Sequence, residues 1–289
     1  WVCCQRMSDL IEHLLGDGGR LAQVLPEYEA RPAQLEMARA VDHCLCEGSR
    51  LVVEAGTGTG KTLAYLVPAV LAEVPVVIST GTRTLQDQIV DKDLPLLLSM
   101  MDQKVSVAVM MGISNYLCRR KLELIRRAPG YLLQDPLLER LLAWAEVTET
   151  GDRSELPELP DRDPLWADVS PTQDSRVGPR CSFYEECFVT RMRRRAAEAR
   201  LIVVNHHLLF ADLALKQTAE DAAVIPPHDA LIVDEAHQVE AVATSFFGQA
   251  ASSAMVSALC RDCLKPPSLG GDAQARTLVD HVEAKGQDL

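Results

Sequence analysis

Aromatic residues make up only 4% of this 289-residue chain, and no apolar stretch runs far without a break. The longest, Leu63 to Ile78, is interrupted by Pro68, Glu73 and Pro75. Spanning a bilayer takes about 20 apolar residues, so no membrane partner is indicated. The N-terminus has no basic region followed by an apolar run and a small-residue cleavage site, the pattern of a secretory signal. Internal repeats are absent. An excess of positive charge is also missing: 29 Lys and Arg stand against 41 Asp and Glu, which argues against a generally basic, nucleic-acid-coating protein. The nine cysteines are odd in number and scattered, so they make no disulfide framework. That usage points to a reducing cytosol and a cytoplasmic location.

What is present is an apolar content of 47%, ample for a buried core, in a length that suggests about two domains. The acidic charge is concentrated. Residues 146–174 hold nine acids and two arginines, −7 of the total −12, and the acidic, Pro-rich stretch 147–180 reads as a loop or insertion. "MSDLIEHLL" is a short helical pattern, and Met7 reads as a natural start, with residues 1–6 extraneous. "RPAQLEMARAVDHCLCEG" has helical spacing, with Pro32 suited to the first turn and Gly48 to the stop. Strands are expected at 51–54, in "PVVIST", in "VSVAVMMG", in "LIVVN" and in "HDALIVDEAH". Helices are expected after Lys61, in "TRTLQDQIV", over most of 119–146, in "YEECFVTRMRRRAAEAR" and after Phe247. Strands alternating with helices imply an α/β fold with a parallel sheet.

"AGTGTGKT", running Ala55, Gly56, Thr57, Gly58, Thr59, Gly60, Lys61 and Thr62, fits the P-loop pattern. Its glycines let backbone N–H groups converge on phosphate oxygens at a helix N-terminus. Lys61 is placed to reach the β- and γ-phosphates of ATP, and the Thr62 hydroxyl to ligate Mg²⁺. "ALIVDEAH" supplies a second half: a buried strand with Asp234 and Glu235 at its carboxyl end, where parallel sheets bind ligands. Asp234 is suited to hold Mg²⁺ and Glu235 to polarise the attacking water, with His237 in the same catalytic set.

These motifs together resemble superfamily 2 helicases. "YEARPAQ" resembles a Q-motif, in which Gln34 would read adenine. "VVISTGTRTLQDQ" resembles motif Ia, in which Thr80, Gly81 and Thr82 would face a nucleic-acid backbone. "GISNYLC" and "VVNHHLLFADL" occur together in the XPD-like iron–sulfur helicases, and the order and spacing look most like the bacterial DinG/YoaA branch. The resemblance covers nearly all of residues 20–260. It implies a RecA-like P-loop NTPase lobe made of 26–103 and 200–246, after an N-terminal segment at 1–25. It also implies a mostly helical Fe–S-type insert at 104–199 and the helical start of an arch domain at 247–289. The implied activity is ATP-dependent 5′-to-3′ unwinding of single-stranded DNA or DNA junctions, in repair or replication, by a monomer.

In that family four cysteines hold a [4Fe–4S] cluster. Cys118, Cys181 and Cys187 match the first, third and fourth, and the second position is Arg176. Three readings stay open at this point: a lost cluster, a cluster held by three cysteines and another ligand or in a labile three-iron form, or a zinc site. Cys44, Cys46, Cys260 and Cys263 read as structural. "CRRKLELIRR" and "RMRRRAAEAR" each carry five bases and one acid beside the cysteine positions. Folding should bring them together, and Arg119, Arg120, Arg193 and Arg194 would then track DNA phosphates. A second motor lobe is not recognisable up to Leu289, so weak ATP·Mg²⁺ binding, slow hydrolysis and no unwinding are expected of this chain. A non-catalytic nucleotide- and DNA-binding module and a redox-sensing Fe–S protein are the rival classes. A P-loop kinase would leave Gln34, motif Ia and DEAH without a role.

Overall fold

A computed structural model describes residues 2–286 apart from 26, 57, 102–103, 128–135, 161–162, 219–222, 249–252, 254–255, 258 and 261–272. The chain divides into two compact units, Trp1–Val239 and Glu240–Leu289.

The first unit is built on a four-stranded parallel sheet in the order β2-β3-β1-β4. The strands are β1 (Val76–Thr80), β2 (Val107–Val109), β3 (Leu201–Asn205) and β4 (Ala230–Val233). Central β1 pairs Ser79 with Val204 of β3 and Val233 of β4, so their carboxyl ends finish side by side. All five β1 residues are buried, which accounts for the unbroken apolar run "VVI" of a strand covered on both faces. Side chains alternate across a strand. Val76, Ile78, Leu201 and Val203 therefore pack on one face against residues such as Ile11, Leu21, Leu66 and Val70. Those come from α1 (Val2–Leu15), α2 (Arg20–Val24) and α4 (Lys61–Leu71), beside α3 (Pro32–Glu47). Val77, Ile202 and Val204 face the other way, into a cluster with Trp166, Val169 and Phe188. That second cluster draws on α7 (Arg119–Arg127), α8 (Pro136–Val147), α9 (Pro164–Val169) and α10 (Phe188–Ala197), beside α11 (His206–Thr218).

Several sequence signals work as their chemistry suggests. Pro32 opens α3, and Gly48 closes it in the left-handed conformation at φ 62°. Helix α5 (Arg83–Gln88) is capped by the Thr82 hydroxyl, which accepts from Leu85 N–H, and runs through a π-helical turn, Ile89–Asp93, into α6 (Leu94–Ser99).

Other expectations need correcting. Residues 51–54 are not a strand: the segment is irregular, and Val52 is 97% exposed. It lines a cleft with Leu231–Val233 of β4 without forming a ladder, and β4 itself is only half-buried. A β-prone run becomes a strand only where a partner supplies the ladder, and that is not written in the run itself. The helix expected from Tyr184 starts at Phe188, because residues 182–186 form turns. The acidic stretch 147–180 is not wholly loop: it contains α9, whose Leu165, Trp166 and Val169 are buried.

The second unit begins in α12 (Val239–Phe247) and includes α13 (Ala273–Gly286), which agrees with the helical pattern expected there. Cys260 is buried with its thiol donating to the Val279 carbonyl at 3.6 Å, while Cys263 lies outside the described residues. No helix among the described residues is long and apolar enough to cross a membrane.

Candidate nucleotide site and the thiol pocket

The loop from Ala55 leads directly into α4, whose first residue is Lys61. Gly58 and Gly60 both adopt φ 79°, a conformation that strains any residue with a Cβ. Gly60 is also crowded: a Cβ built there would lie 2.2 Å from Gln34 Nε2. Gln34 is buried, donates from Nε2 to the Gly60 carbonyl at 3.0 Å and accepts at Oε1 from the Tyr28 hydroxyl at 2.7 Å. The side chain expected to read adenine is thus engaged at both ends and fixes the end of the loop. Thr59 Oγ1 donates to the Gly56 carbonyl at 2.9 Å, closing the loop from inside. Thr57 lies outside the described residues.

The carboxylates arrive from β4. Ser79 O accepts from Asp234 N–H at 2.8 Å, which anchors the strand end to β1. Lys61 Nζ lies 3.8 Å from Glu235 Oε1, and His237 Nδ1 lies 3.3 Å from Glu235 Oε2. The structure therefore brings Lys61 to Glu235 and His237, which lie more than 170 residues further along the chain. Asp234 Oδ1 accepts from Glu235 N–H at 3.0 Å, and Asp234 Oδ2 accepts from the Tyr65 hydroxyl at 3.0 Å. Burial first, and then the Asp234 charge, push the Tyr65 hydroxyl far above the ordinary phenol range, so it stays a donor. Thr62 occupies the first turn of α4 beside Tyr65. Lys61, Tyr65, Asp234, Glu235 and His237 border a cleft of about 620 Å³, which also takes in Leu51, Val53 and Ala55.

Tyr65 was not read from the sequence. Its position four residues after Lys61 puts it on the same face of α4 one turn on, so the signal was there. Ser79 and His206 lie within the quoted stretches "VVISTGTRTLQDQ" and "VVNHHLLFADL" but were given no role there, and Gln238 carried no local signal.

Of the motif Ia residues, Thr80 is buried, with its hydroxyl donating to the Thr82 carbonyl at 3.1 Å. Gly81 and Thr82 are what that loop shows to solvent. The two basic runs do meet: the Arg119 guanidinium on α7 lies 4.7 Å from the centre of the Phe188 ring on α10. Most of their charge has internal partners, however. Arg120 donates to Ser175 O at 2.7 Å, and Arg194 pairs with Glu185 at 2.6 Å while lying over Tyr184. Arg193 is half-buried. Burial, and then neighbouring Arg176, lower its pKa.

Cys118, Cys181 and Cys187 converge on one small pocket together with Arg120, Arg176 and Tyr184. A four-thiolate cluster does not fit the side chains present. No three His, Cys, Asp or Glu side chains among the described residues come together as a metal-holding group. The fourth corner holds Arg176, a guanidinium with five donors and no acceptor for iron.

Residues 32–142 match the DEAD/DEAH box helicase family. The chain is 41% identical over 277 residues to the ATP-dependent DNA helicase YoaA of Escherichia coli, a match covering 94% of this chain and 43% of that protein. It is 40% identical over 256 residues to the ATP-dependent helicase DinG of Mycobacterium tuberculosis, with 80% and 38% covered. The chain belongs to the DinG/YoaA branch of the DEAD/DEAH box helicases. YoaA of Haemophilus influenzae is similar as well, 39% identical over 255 residues, with 87% and 40% covered. The chain spans about two fifths of the length of these relatives. Within the family frame, the P-loop and the DEAH turn fall at the start of α4 and at the end of β4.

Proposed function

We propose that this chain is the nucleotide-binding lobe of an ATP-dependent DNA helicase, one that moves 5′ to 3′ on single strands in repair or replication-associated unwinding. The observation that carries the reading is the approach of Lys61 to Glu235 at 3.8 Å, with Asp234 alongside on the same turn. The loop amides and the N-terminus of the eleven-residue α4 favour a polyanionic phosphate tail. Lys61 would exchange its contact with Glu235 for the β- and γ-phosphates, freeing that carboxylate to orient a water. Thr62 and Asp234 are hard oxygen donors suited to Mg²⁺, and Tyr65 holds one Asp234 oxygen in place. When bound, Mg²⁺ would neutralise charge between the β- and γ-phosphate oxygens. His237 lies against Glu235 Oε2 and limits where that carboxylate can point. Gly81, Thr82 and the exposed arginines of α7 and α10 would meet the phosphates of single-stranded DNA. The helicase lobe in this reading is 26–103 with 200–246, and 104–199 is its insert. The chain by itself would bind Mg²⁺·ATP and hydrolyse it slowly, without unwinding.

Single-turnover hydrolysis in the presence of oligo(dT) tests the reading. Glu235→Gln should abolish hydrolysis while nucleotide still binds. Hydrolysis unaltered by that substitution would overturn the proposed role of the DEAH turn.

A further inference from the structure

Cys118, Cys181 and Cys187 share their pocket with groups that suit an anion better than a metal ion. Beside the thiols, themselves weak donors, stand Arg120, Arg176 and Thr190. No Asp or Glu among the described residues lines the pocket, in a chain that carries 41 of them. Two helix ends meet there. Cys118 immediately precedes the nine-residue α7, and its carbonyl accepts from Leu122 N–H at 2.9 Å. Cys187 caps the ten-residue α10: its carbonyl accepts from Arg191 N–H at 2.9 Å, while its side chain makes no capping hydrogen bond. First-turn amides at such ends, with the helix dipoles behind them, favour negative charge. Thr190, in the first turn of α10, gives a second and independent sign. It is only 5% exposed, yet its Oγ1 is buried with no hydrogen-bond partner among the described residues. Buried hydroxyls are rarely left in that state, so the pocket wall holds a bond that a ligand would complete. Arg193 adds to the positive charge: it feels the charge of Arg176, and its Nε is buried without a partner among the described residues. Like charges held close are relieved by an anion. The cavity, about 40 Å³, exceeds the roughly 10–15 Å³ that one water needs and leaves room for one small ion.

We propose that this pocket binds a phosphate group, held by Arg176, Arg120 and the Thr190 hydroxyl where the N-termini of α7 and α10 meet. Guanidinium forks match the oxygens of an oxyanion, which a spherical halide cannot offer. Arg120 spends one donor on the Ser175 carbonyl at 2.7 Å and has others left. Arg176 thus replaces a metal ligand by an anion ligand, and the bound ion ties the starts of two helices of the insert together. A free inorganic phosphate and the terminal phosphate of a nucleic-acid strand carry the same chemistry, and the test separates them. The inference stands apart from the nucleotide cleft and does not depend on the function proposed above.

The test uses the whole 289-residue chain, kept reduced, and times N-ethylmaleimide labelling of each cysteine by peptide mass spectrometry. The three pocket thiols are half-buried, and exposed Cys46 lies outside the pocket as an internal control. Inorganic phosphate at about ten times its Kd should slow labelling of Cys118, Cys181 and Cys187 by about 10-fold and leave Cys46 unchanged. Potassium chloride of equal ionic strength should not protect. Arg176→Gln should bring the protection below about 2-fold. Thr190→Val should raise the phosphate concentration for half protection by about 10-fold, as loss of a hydrogen bond to a charged group implies. The same variant should unfold at higher urea than wild type when phosphate is absent, because an unpaired hydroxyl is gone. Thr190→Val decides the matter if Arg176→Gln fails to fold. Lys61→Ala should keep full protection, which separates this pocket from the P-loop. Oligo(dT) bearing a 5′-phosphate that protects where unphosphorylated oligo(dT) does not assigns the site to strand ends; protection by inorganic phosphate alone assigns it to the free ion. Protection by neither phosphate source overturns the inference. So does protection that chloride matches, or that Arg176→Gln and Thr190→Val both retain in full.

Discussion

Replacing Gly60 by alanine tests how the P-loop is held, because two separable costs follow from the geometry. At φ 79° a Cβ meets its own backbone, and left-handed backbone costs an L-residue about 1–2 kcal/mol. The new methyl would also lie 2.2 Å from Gln34 Nε2. Gln34 is buried and bonded at both ends, so it cannot swing into solvent, and displacing it leaves a buried amide unsatisfied at about 1–3 kcal/mol. The two costs together come to about 2–5 kcal/mol. Urea unfolding of wild type, Gly60→Ala, Gln34→Ala and the double variant measures both. Removing Gln34 removes the clash, so the double variant should be more stable than the sum of the singles by about 1–3 kcal/mol. Nucleotide affinity should fall in Gly60→Ala and recover in part in the double variant. Additivity within about 0.5 kcal/mol would refute the claim that Gln34 and Gly60 press on one another.

Three further outcomes are expected. Tyr65→Phe removes the donor from Asp234 Oδ2, and the Mg²⁺ dependence of nucleotide binding should shift to about 10-fold higher Mg²⁺, as loss of a hydrogen bond to a charged group implies; an unmoved Mg²⁺ titration would contradict it. Arg176→Cys gives the thiol pocket its fourth thiolate, so anaerobic reconstitution should load iron and sulfide in the variant far beyond wild type; equal loading of the two would show that the arginine does not exclude a cluster. Asp42 is buried with Oδ1 unpartnered among the described residues, and burial raises its pKa. A raised carboxyl pKa means that the folded state binds the proton more readily than the unfolded one, so the ionised form opposes folding near neutral pH and protonation relieves it. Asp42→Asn should therefore raise Tm at pH 7, and the gain should shrink as pH falls through the raised pKa; a gain constant with pH would contradict the sign.

The candidate nucleotide site was legible because the chemistry proposed for it depends on close sequence spacing. Gly58, Gly60 and Lys61 sit within one turn of a helix start, and Asp234 and Glu235 end a four-residue apolar strand. What could not be read locally depended on distant partners. Residues 51–54 look like a strand, yet pair with nothing among the described residues. Gln34 looks free of internal partners, yet Tyr28 and Gly60 each take one hydrogen bond of its amide. Arg194 looks like a phosphate contact, yet Glu185, nine residues earlier, holds it. The convergence of Cys118 with Cys181 and Cys187 came from family resemblance, and residue type alone showed that Arg176 cannot complete the set.

The central claim is that Lys61, with Asp234 and Glu235 opposite, receives the phosphates of Mg²⁺·ATP. Calorimetric titration of Mg²⁺·ATP into wild type and Lys61→Ala measures this directly. The account predicts saturable one-to-one binding by wild type that Lys61→Ala weakens by at least about 10-fold, as loss of a charge-assisted contact requires. Equal binding by both proteins, or none by either, would contradict it.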